Sequence, residues 1–393
     1  MKHAIHYIIT VLLLCLPCTL AAQQTFHAHV ADAETGEALP YARVQTGGTR
    51  GTMSNRDGDF SLAGAAEDVL TISYIGYETL TVKACELPTV IRLKPLAMEM
   101  GEVVIRPHPK ADILRRIRKR LHREHQWKKH MTTLYFFRTF TQHSDGSEEM
   151  LEGFYNACSS INIRYPSIVS GQTRLNGETK IQFIKSTNFQ QLFSLGPVIF
   201  DQPFWKYALQ PLDAAKDVQR AYDADITSIH DEEGRCIYKI KFLFNGWAPK
   251  DWRGQMLIQG TLYVDADTYR LQHFDGVLLG MRQTFDGARR RMDLTFHVDY
   301  SHERNFTEVE HISFDGGSPQ LSYHCLLFKV DKGQSHYDPL QITSTNLMRN
   351  IRDSGYDQSL WEKYDIVRRT EEEERAAVKG KKDNMPKPLS VTK

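Results

Sequence analysis

The sequence predicts a mainly β protein, an N-terminal β-sandwich followed by a larger antiparallel β domain with one amphipathic helix. Turn-forming residues recur at intervals of about 8–12 residues over the first segment behind an apolar leader, the spacing of a small sandwich. Long strand-like runs then fill residues 131–330. One stretch, residues 110–129, instead places apolar residues at helical spacing.

Residues 1–22 carry Lys2, an apolar run from Ile8 to Leu16 and the small pair Ala21-Ala22 before Gln23. This is the anatomy of a secretory signal peptide, with an apolar run too short to span a bilayer. The mature chain is expected to begin near Gln23 and to be exported. Leu14 and Pro17 stand where a lipoprotein signal wants a small residue, so Cys15 and Cys18 are not expected to carry a lipid anchor. No later stretch approaches ~18 continuous apolar residues, so no further transmembrane helix is predicted.

Residues 23–94 read as the sandwich. Thr35-Gly36-Glu37 and Asp57-Gly58 supply positive-φ turn positions between alternating runs such as Phe26, Ala28, Val30 and Leu70, Ile72, Tyr74. Leu39-Pro40 suits the start of an edge strand, because proline has no N–H to give a central ladder. Asn55-Arg56-Asp57-Gly58-Asp59 has the look of a calcium loop but lacks the terminal bidentate glutamate, and a hairpin turn accounts for it.

Pro95, Pro107 and Pro109 mark residues 95–109 as a linker. In the helix that follows, Ile113, Leu114, Ile117 and Leu121 form an apolar stripe expected to dock on a sheet, while Arg115, Arg116, Arg118, Lys119, Arg120 and Arg123 face water. The same basic faces allow peripheral contact with an anionic membrane. Residues 110–334 form the larger β domain, with strands expected at 134–142, 237–244, 256–265, 269–274, 293–300, 308–314 and 321–330. Asp265-Ala266-Asp267-Thr268 makes a hairpin turn between two of them. Residues 335–370 are a C-terminal extension in which Tyr356–Trp361 closes the domain, and the charged tail 371–393 is expected to fray.

Asp32-Ala33-Glu34-Thr35-Gly36-Glu37, Leu39-Pro40-Tyr41-Ala42, Ser54-Asn55-Arg56-Asp57-Gly58-Asp59-Phe60 and Ile72-Ser73-Tyr74-Ile75-Gly76-Tyr77 together resemble the carboxypeptidase regulatory-like domain, a transthyretin-like sandwich of Gram-negative envelope proteins. The resemblance implies an accessory rather than a catalytic module, here without the membrane barrel that follows it in some members. It also implies a periplasmic or outer-membrane-associated location. The strand order of the second domain is similar to half-open barrels of lipoprotein-carrier type, in which a curved sheet cups a helix. Long antiparallel strands with one helix to cover them imply an apolar concavity, which either residues 335–364 or a ligand fills.

Chemistry-bearing motifs are sparse. The 49 basic and 48 acidic residues offer no global attraction to nucleic acid. Cys85, Cys158, Cys236 and Cys325 survive export at spacings that suit isolated thiols as well as any of several disulfide pairings. No His-Glu-x-x-His, Cys-x-x-Cys of the mature chain, Gly-x-Ser-x-Gly or phosphate-binding loop occurs, so no catalytic residue, cofactor or metal is assigned. His230 and Glu233 have a zinc-peptidase spacing but lie in a polar turn. His27 and His29 share one strand face without an evident third ligand, and His122, His125 and His130 sit among cations. Phe200, Phe204, Trp205, Trp247 and Trp252 are the candidate ligand-facing aromatics.

The expected role is therefore that of a non-enzymatic envelope protein in which the sandwich is a docking or spacer module. The second domain takes an envelope protein partner or an apolar, lipid-like ligand. A hydrolase of peptidase type with an unrecognised site and a pure scaffold are the alternatives. N-terminal sequencing of the fractionated protein should find Gln23 at the start of a non-cytoplasmic chain. Recovery of an uncleaved cytoplasmic chain would contradict export.

Overall fold

The computed structural model describes residues 24–47, 51–96, 110–125, 132–159, 163–176, 208–209, 212, 216–231, 233–248, 250, 256–285, 288–302, 306–319, 321–332, 351, 354–364, 366–379 and 381–382. The leader, most of the linker and the aromatics Phe200, Phe204, Trp205 and Trp252 lie outside these residues.

The first segment forms two small sheets. β1 (Gln24–Asp32), β4 (Asp59–Gly64) and β7 (Val90–Leu93) make one, while β2 (Arg43–Thr46), β3 (Gly51–Met53), β5 (Val69–Ser73) and β6 (Leu80–Lys83) make the other. Their inner residues, among them Val30, Val44, Phe60, Leu70, Ile72 and Ile91, form one buried core. The turns follow the sequence chemistry. Gly36 and Gly58 adopt φ values of +74° and +85°, Asp32 Oδ1 accepts from the N–H groups of Glu34 and Thr35, and Asn55 Oδ1 accepts from those of Asp57 and Asp59.

The second domain is built on a 12-stranded sheet. Its strands are β8 (Thr132–His143), β9 (Glu148–Ser159), β10 (Ile163–Asn176), β11 (Ala208–Leu209), β12 (Tyr222–His230), β13 (Cys236–Phe244), β14 (Met256–Asp265), β15 (Leu271–Phe285), β16 (Ala288–Ser301), β17 (Glu308–Ser318), β18 (Leu321–Lys332) and β19 (Lys381–Lys382). The path runs β12 through β18 as a meander, then β8, β9, β10 and β19, with β11 added parallel to β14. The expected strand at 269–274 is in fact the start of β15, which runs on to Phe285. β10 was not among the expected strands, while the polar turn at residues 230–234 does join two strands, β12 and β13.

Helix α1 (Lys110–His125) lies on one face of this sheet. Its Ile113, Ile117 and Leu121 are buried with Tyr135, Phe137, Ile240, Phe274, Phe296 and Phe314, so the predicted stripe does dock. Arg115 and Arg116 remain exposed, where Asp112 pairs with both along the helix, but Arg118 and Arg120, expected in water, are half-buried beside the sheet. Short α2 (Lys216–Ala221) precedes β12.

The opposite face carries the sandwich together with the C-terminal extension. Tyr41 and Met53 of the sandwich join Phe136, Phe154, Leu326, Phe328 and Val367 in one apolar cluster. Helix α3 (Gln358–Lys363), capped by Asp357, stacks Trp361 edge-on against Phe136 and Phe154, which is the closing role expected of Tyr356–Trp361. The fraying expected of residues 371–393 does not extend to their first part. Glu371–Lys379 forms α4, Glu373 is buried, and Lys381–Lys382 pairs with Arg174 and Leu175 as β19. Charge alone predicted water; buried cations on the sheet override it.

Those cations form a closed network. Arg138 on β8 donates from Nε to Glu152 Oε1 at 2.6 Å and from its Nη atoms to the carbonyls of Val367 and Arg368 and to Glu373. Arg369 Nη2 donates to Glu152 Oε2 at 2.7 Å. Burial opposes ionisation of Glu152, but Arg138 and Arg369 override it and bring its carboxyl down to about 2. Removing one partner of such a buried pair strands the others and costs about 3–5 kcal/mol. Urea unfolding of Glu152→Ala should show a loss of that order at neutral pH. Since the folded carboxyl sits below its ordinary range near 4.5, the difference from wild type should be full above that range and vanish as pH falls through about 2.

Candidate functional site

The face beneath the sandwich carries a row of histidines and aspartates that no single strand reveals. Antiparallel register sets His273 opposite Asp299 and Asp275 opposite His297, then Asp299 opposite His311 and Asp315 opposite His324. A strand repeats every two residues, so His-x-Asp on β15 and His-x-Asp on β16 both point to the same side. Gly276 follows Asp275 because a Cβ there would meet the Gln259 carbonyl at 2.3 Å and the Phe296 ring at 2.6 Å.

The side chains are joined in pairs. His273 Nδ1 lies 2.6 Å from Asp299 Oδ1, and its Nε2 lies 2.6 Å from Asp275 Oδ1. His297 Nδ1 reaches the same Asp275 oxygen at 2.7 Å. His311 Nδ1 stands 3.2 Å from Asp299 Oδ2, and His324 Nδ1 2.8 Å from Asp315 Oδ1. Burial opposes protonation of His273, but Asp275 and Asp299 outweigh it and push the imidazole up to about 10. Burial also opposes charge on both aspartates; His273 nevertheless draws them well below the usual carboxylate range. His311, wholly buried, is lowered by that burial.

The sandwich covers this row with polar-tipped side chains. Tyr41 places its ring 4.7 Å from that of His311 and 5.7 Å from that of His297, and its hydroxyl donates to Asp315 Oδ2 at 3.1 Å. Burial and the Asp315 charge push the Tyr41 phenol far up, so it remains a donor. Tyr41 also holds a φ of +64°, a left-handed conformation that bulky residues avoid. Arg43 Nη2 donates to Glu310 at 2.9 Å. Arg56 contacts His324 and, at 3.2 Å, Glu372. A cavity of about 10 Å³ lined by Tyr41, Arg56, Arg138 and His324 has room for one water.

The residues singled out from sequence do not converge here. His27 bonds Ser61 and His29 bonds Asp59 across β1 and β4. His230 ends β12 and Glu233 lies in the exposed turn that Asp231 caps. Trp247 packs half-buried against the core below α1, with the Arg220 guanidinium 4.1 Å from its ring centre. Cys85, Cys158, Cys236 and Cys325 are free thiols, two of them buried. The side chains of His122, His125 and His130 lie outside the described residues. The signal missed in the sequence was the His-x-Asp pair repeated at 273–275 and 297–299.

Residues 27–105 match the family model of the CarboxypepD_reg-like domain. The sandwich is thus such a domain, as its turn motifs implied, and it is joined to a larger antiparallel β domain. No curated protein matches the chain. Among solved structures, a putative outer membrane lipoprotein-sorting protein domain from Vibrio parahaemolyticus is 10% identical, covering 57% of this chain and 93% of its own, with a TM-score of 0.24. A LolA superfamily protein from Nitrosomonas europaea is 11% identical, covering 58% and 97%, with a TM-score of 0.28. A DUF1329 family protein from Desulfovibrio piger is 10% identical, covering 63% and 98%, with a TM-score of 0.23. Superpositions this loose fix neither the fold nor a ligand.

If Tyr41 ties the sandwich to the sheet, removing its hydroxyl should matter beyond the loss of packing. Tyr41→Phe should lower stability by about 1.5–3 kcal/mol, the range for a hydrogen bond to a charged group. In a double-mutant cycle with Asp315→Asn the two losses should fall short of additive, as read from urea midpoints. Additive losses would mean that the two side chains do not act together.

Proposed function

We propose that the chain is an exported, non-enzymatic envelope protein whose sandwich is locked onto a β domain that takes an apolar, lipid-like ligand beneath α1. The observation that carries this reading is how few described residues cover that face, α1 being joined there by Leu212, Val218, Ala221 and Ile351. Apolar side chains from β8, β9 and β13 through β18 line it, and α1 meets them with three buried aliphatic residues, Ile113, Ile117 and Leu121. At the rim α1 is held by polar contacts, Lys110 Nζ to the Ala224 carbonyl at 3.2 Å and Glu124 to Arg270 at 3.6 Å. The Lys110 contact is exposed and contributes about 0–1 kcal/mol, while the Glu124 and Arg270 side chains are only 8% and 20% exposed. An acyl chain would offer the sheet the same kind of apolar surface that α1 now covers.

The leader supports export, and the lack of nucleophile and metalloprotease motifs supports a binding role over a hydrolase. The sandwich's contacts with β17, β18 and the C-terminal segment favour a docked module over a free spacer. A protein partner is the second reading. Its motive is β12, which among the described residues pairs with β13 alone and so presents an edge to which an extended segment can add.

A fluorescent fatty acid titrated into the mature protein should bind saturably at one site. Ile117→Asp weakens the hold of α1 and should tighten that binding, while near-ultraviolet circular dichroism confirms that the variant remains folded. Failure of wild type and a folded variant alike to bind saturably would reject the ligand and leave the scaffold reading.

A further inference from the structure

We propose that His273, Asp275 and His297 form a binding site for one divalent ion of zinc type on the sheet face beneath the sandwich, with Asp299 orienting His273. One donor atom from each of the three residues lies within 4.8 Å of the other two. Asp275 Oδ1 stands at the centre, 2.6 Å from His273 Nε2 and 2.7 Å from His297 Nδ1. Two imidazoles and a carboxylate are a donor set that zinc and its neighbours favour over calcium or magnesium. Ligands placed about 2.0–2.1 Å from a tetrahedral ion stand roughly 3.4 Å apart. Entry of the ion therefore requires the donors to separate by about 0.7 Å, within the reach of side-chain rotation.

The environment of His273 adds to this proximity. Its Nε2 is buried and its nearest partner is the proposed co-ligand Asp275, at 2.6 Å. The other ring nitrogen of His273 is committed to Asp299, whose second oxygen faces His311 Nδ1. A histidine that gives one N–H to a carboxylate and leaves its opposite nitrogen exposed to a cluster of donors has the arrangement of a metal ligand with its orienting partner.

Charge leads to the same place. Asp275 and Asp299 bring two negative charges into a region walled by Tyr41 and Tyr263. A divalent ion there would balance both. There is also a way in: the Asp275 side chain is 36% exposed and that of His297 20%, against 4% for His273. Solvent on that open side would complete the coordination. The ion would tie β15 to β16 directly below the docked sandwich, independently of any ligand on the opposite face.

The test is metal uptake by the mature full-length chain after chelator treatment. Calorimetric titration with zinc should give one ion per chain, and cobalt(II) should give the visible absorption of a tetrahedral nitrogen-oxygen site. Asp275→Ala and His297→Ala should abolish uptake. Asp299→Asn should weaken it roughly 10–100-fold, the usual effect of losing an orienting partner, and His230→Ala should leave it unchanged. Lack of stoichiometric zinc and of the cobalt spectrum in the folded wild-type chain would overturn the site. So would uptake that survives in a folded Asp275→Ala, His297→Ala double variant.

Discussion

A sheet this wide has two faces that must both be covered, and the two-residue period of its strands, shifted at bulges such as that between Asp299 and Tyr300, decides what each face offers. On one side the alternation places Phe137, Ile240, Phe274, Phe296 and Phe314, which a helix of aliphatic stripe can cover. On the other it places Arg138, Glu152, Asp275, His297, Asp299, His311 and His324, which an apolar helix would leave unsatisfied. That second face needs a cover with polar tips on apolar bodies. The sandwich supplies Tyr41, Arg43 and Arg56, and the C-terminal segment supplies Arg369, Glu373 and the carbonyls of Val367 and Arg368.

The left-handed backbone at Tyr41 fits this requirement. A residue at φ +64° is held there only when its surroundings fix it, and Tyr41 is fixed at both ends, by the Ser54 backbone carbonyl that accepts from its N–H and by Asp315 that accepts from its hydroxyl. Local strain in the sandwich is thus linked to a contact made 274 residues later. Module and sheet are joined directly at Tyr41, Arg43 and Arg56.

The two faces divide the chemistry. The apolar side buries the aliphatic stripe of α1 against the sheet. The polar side holds paired charges in fixed register and suits an ion or a proton, because only small charged species fit between strands whose backbones are already bonded. Neither side brings a nucleophile next to a base among the described residues.

The amino-acid sequence by itself determined the elements governed by local rules. The turns at Gly36 and Gly58, the hairpin at Asp265, the stripe of α1 and strand β14 from Met256 to Asp265 all follow from residue type and spacing over a few positions. The sandwich's family was equally legible in its ordered turn motifs. Tertiary structure decided the rest. β10 was hidden because Ser170 and Gln172 are polar residues buried against the C-terminal segment and Glu152, which breaks the alternation that announces a strand. The tail's order depends on the Arg138 and Arg369 guanidiniums, which residues 371–382 do not contain. The histidine row needed the register of four strands, since His273 and Asp299 are neighbours only once β15 and β16 pair. Local propensity is encoded within a turn or two of the chain. Charge compensation in a buried interface is encoded in pairs hundreds of residues apart, and only folding brings them together.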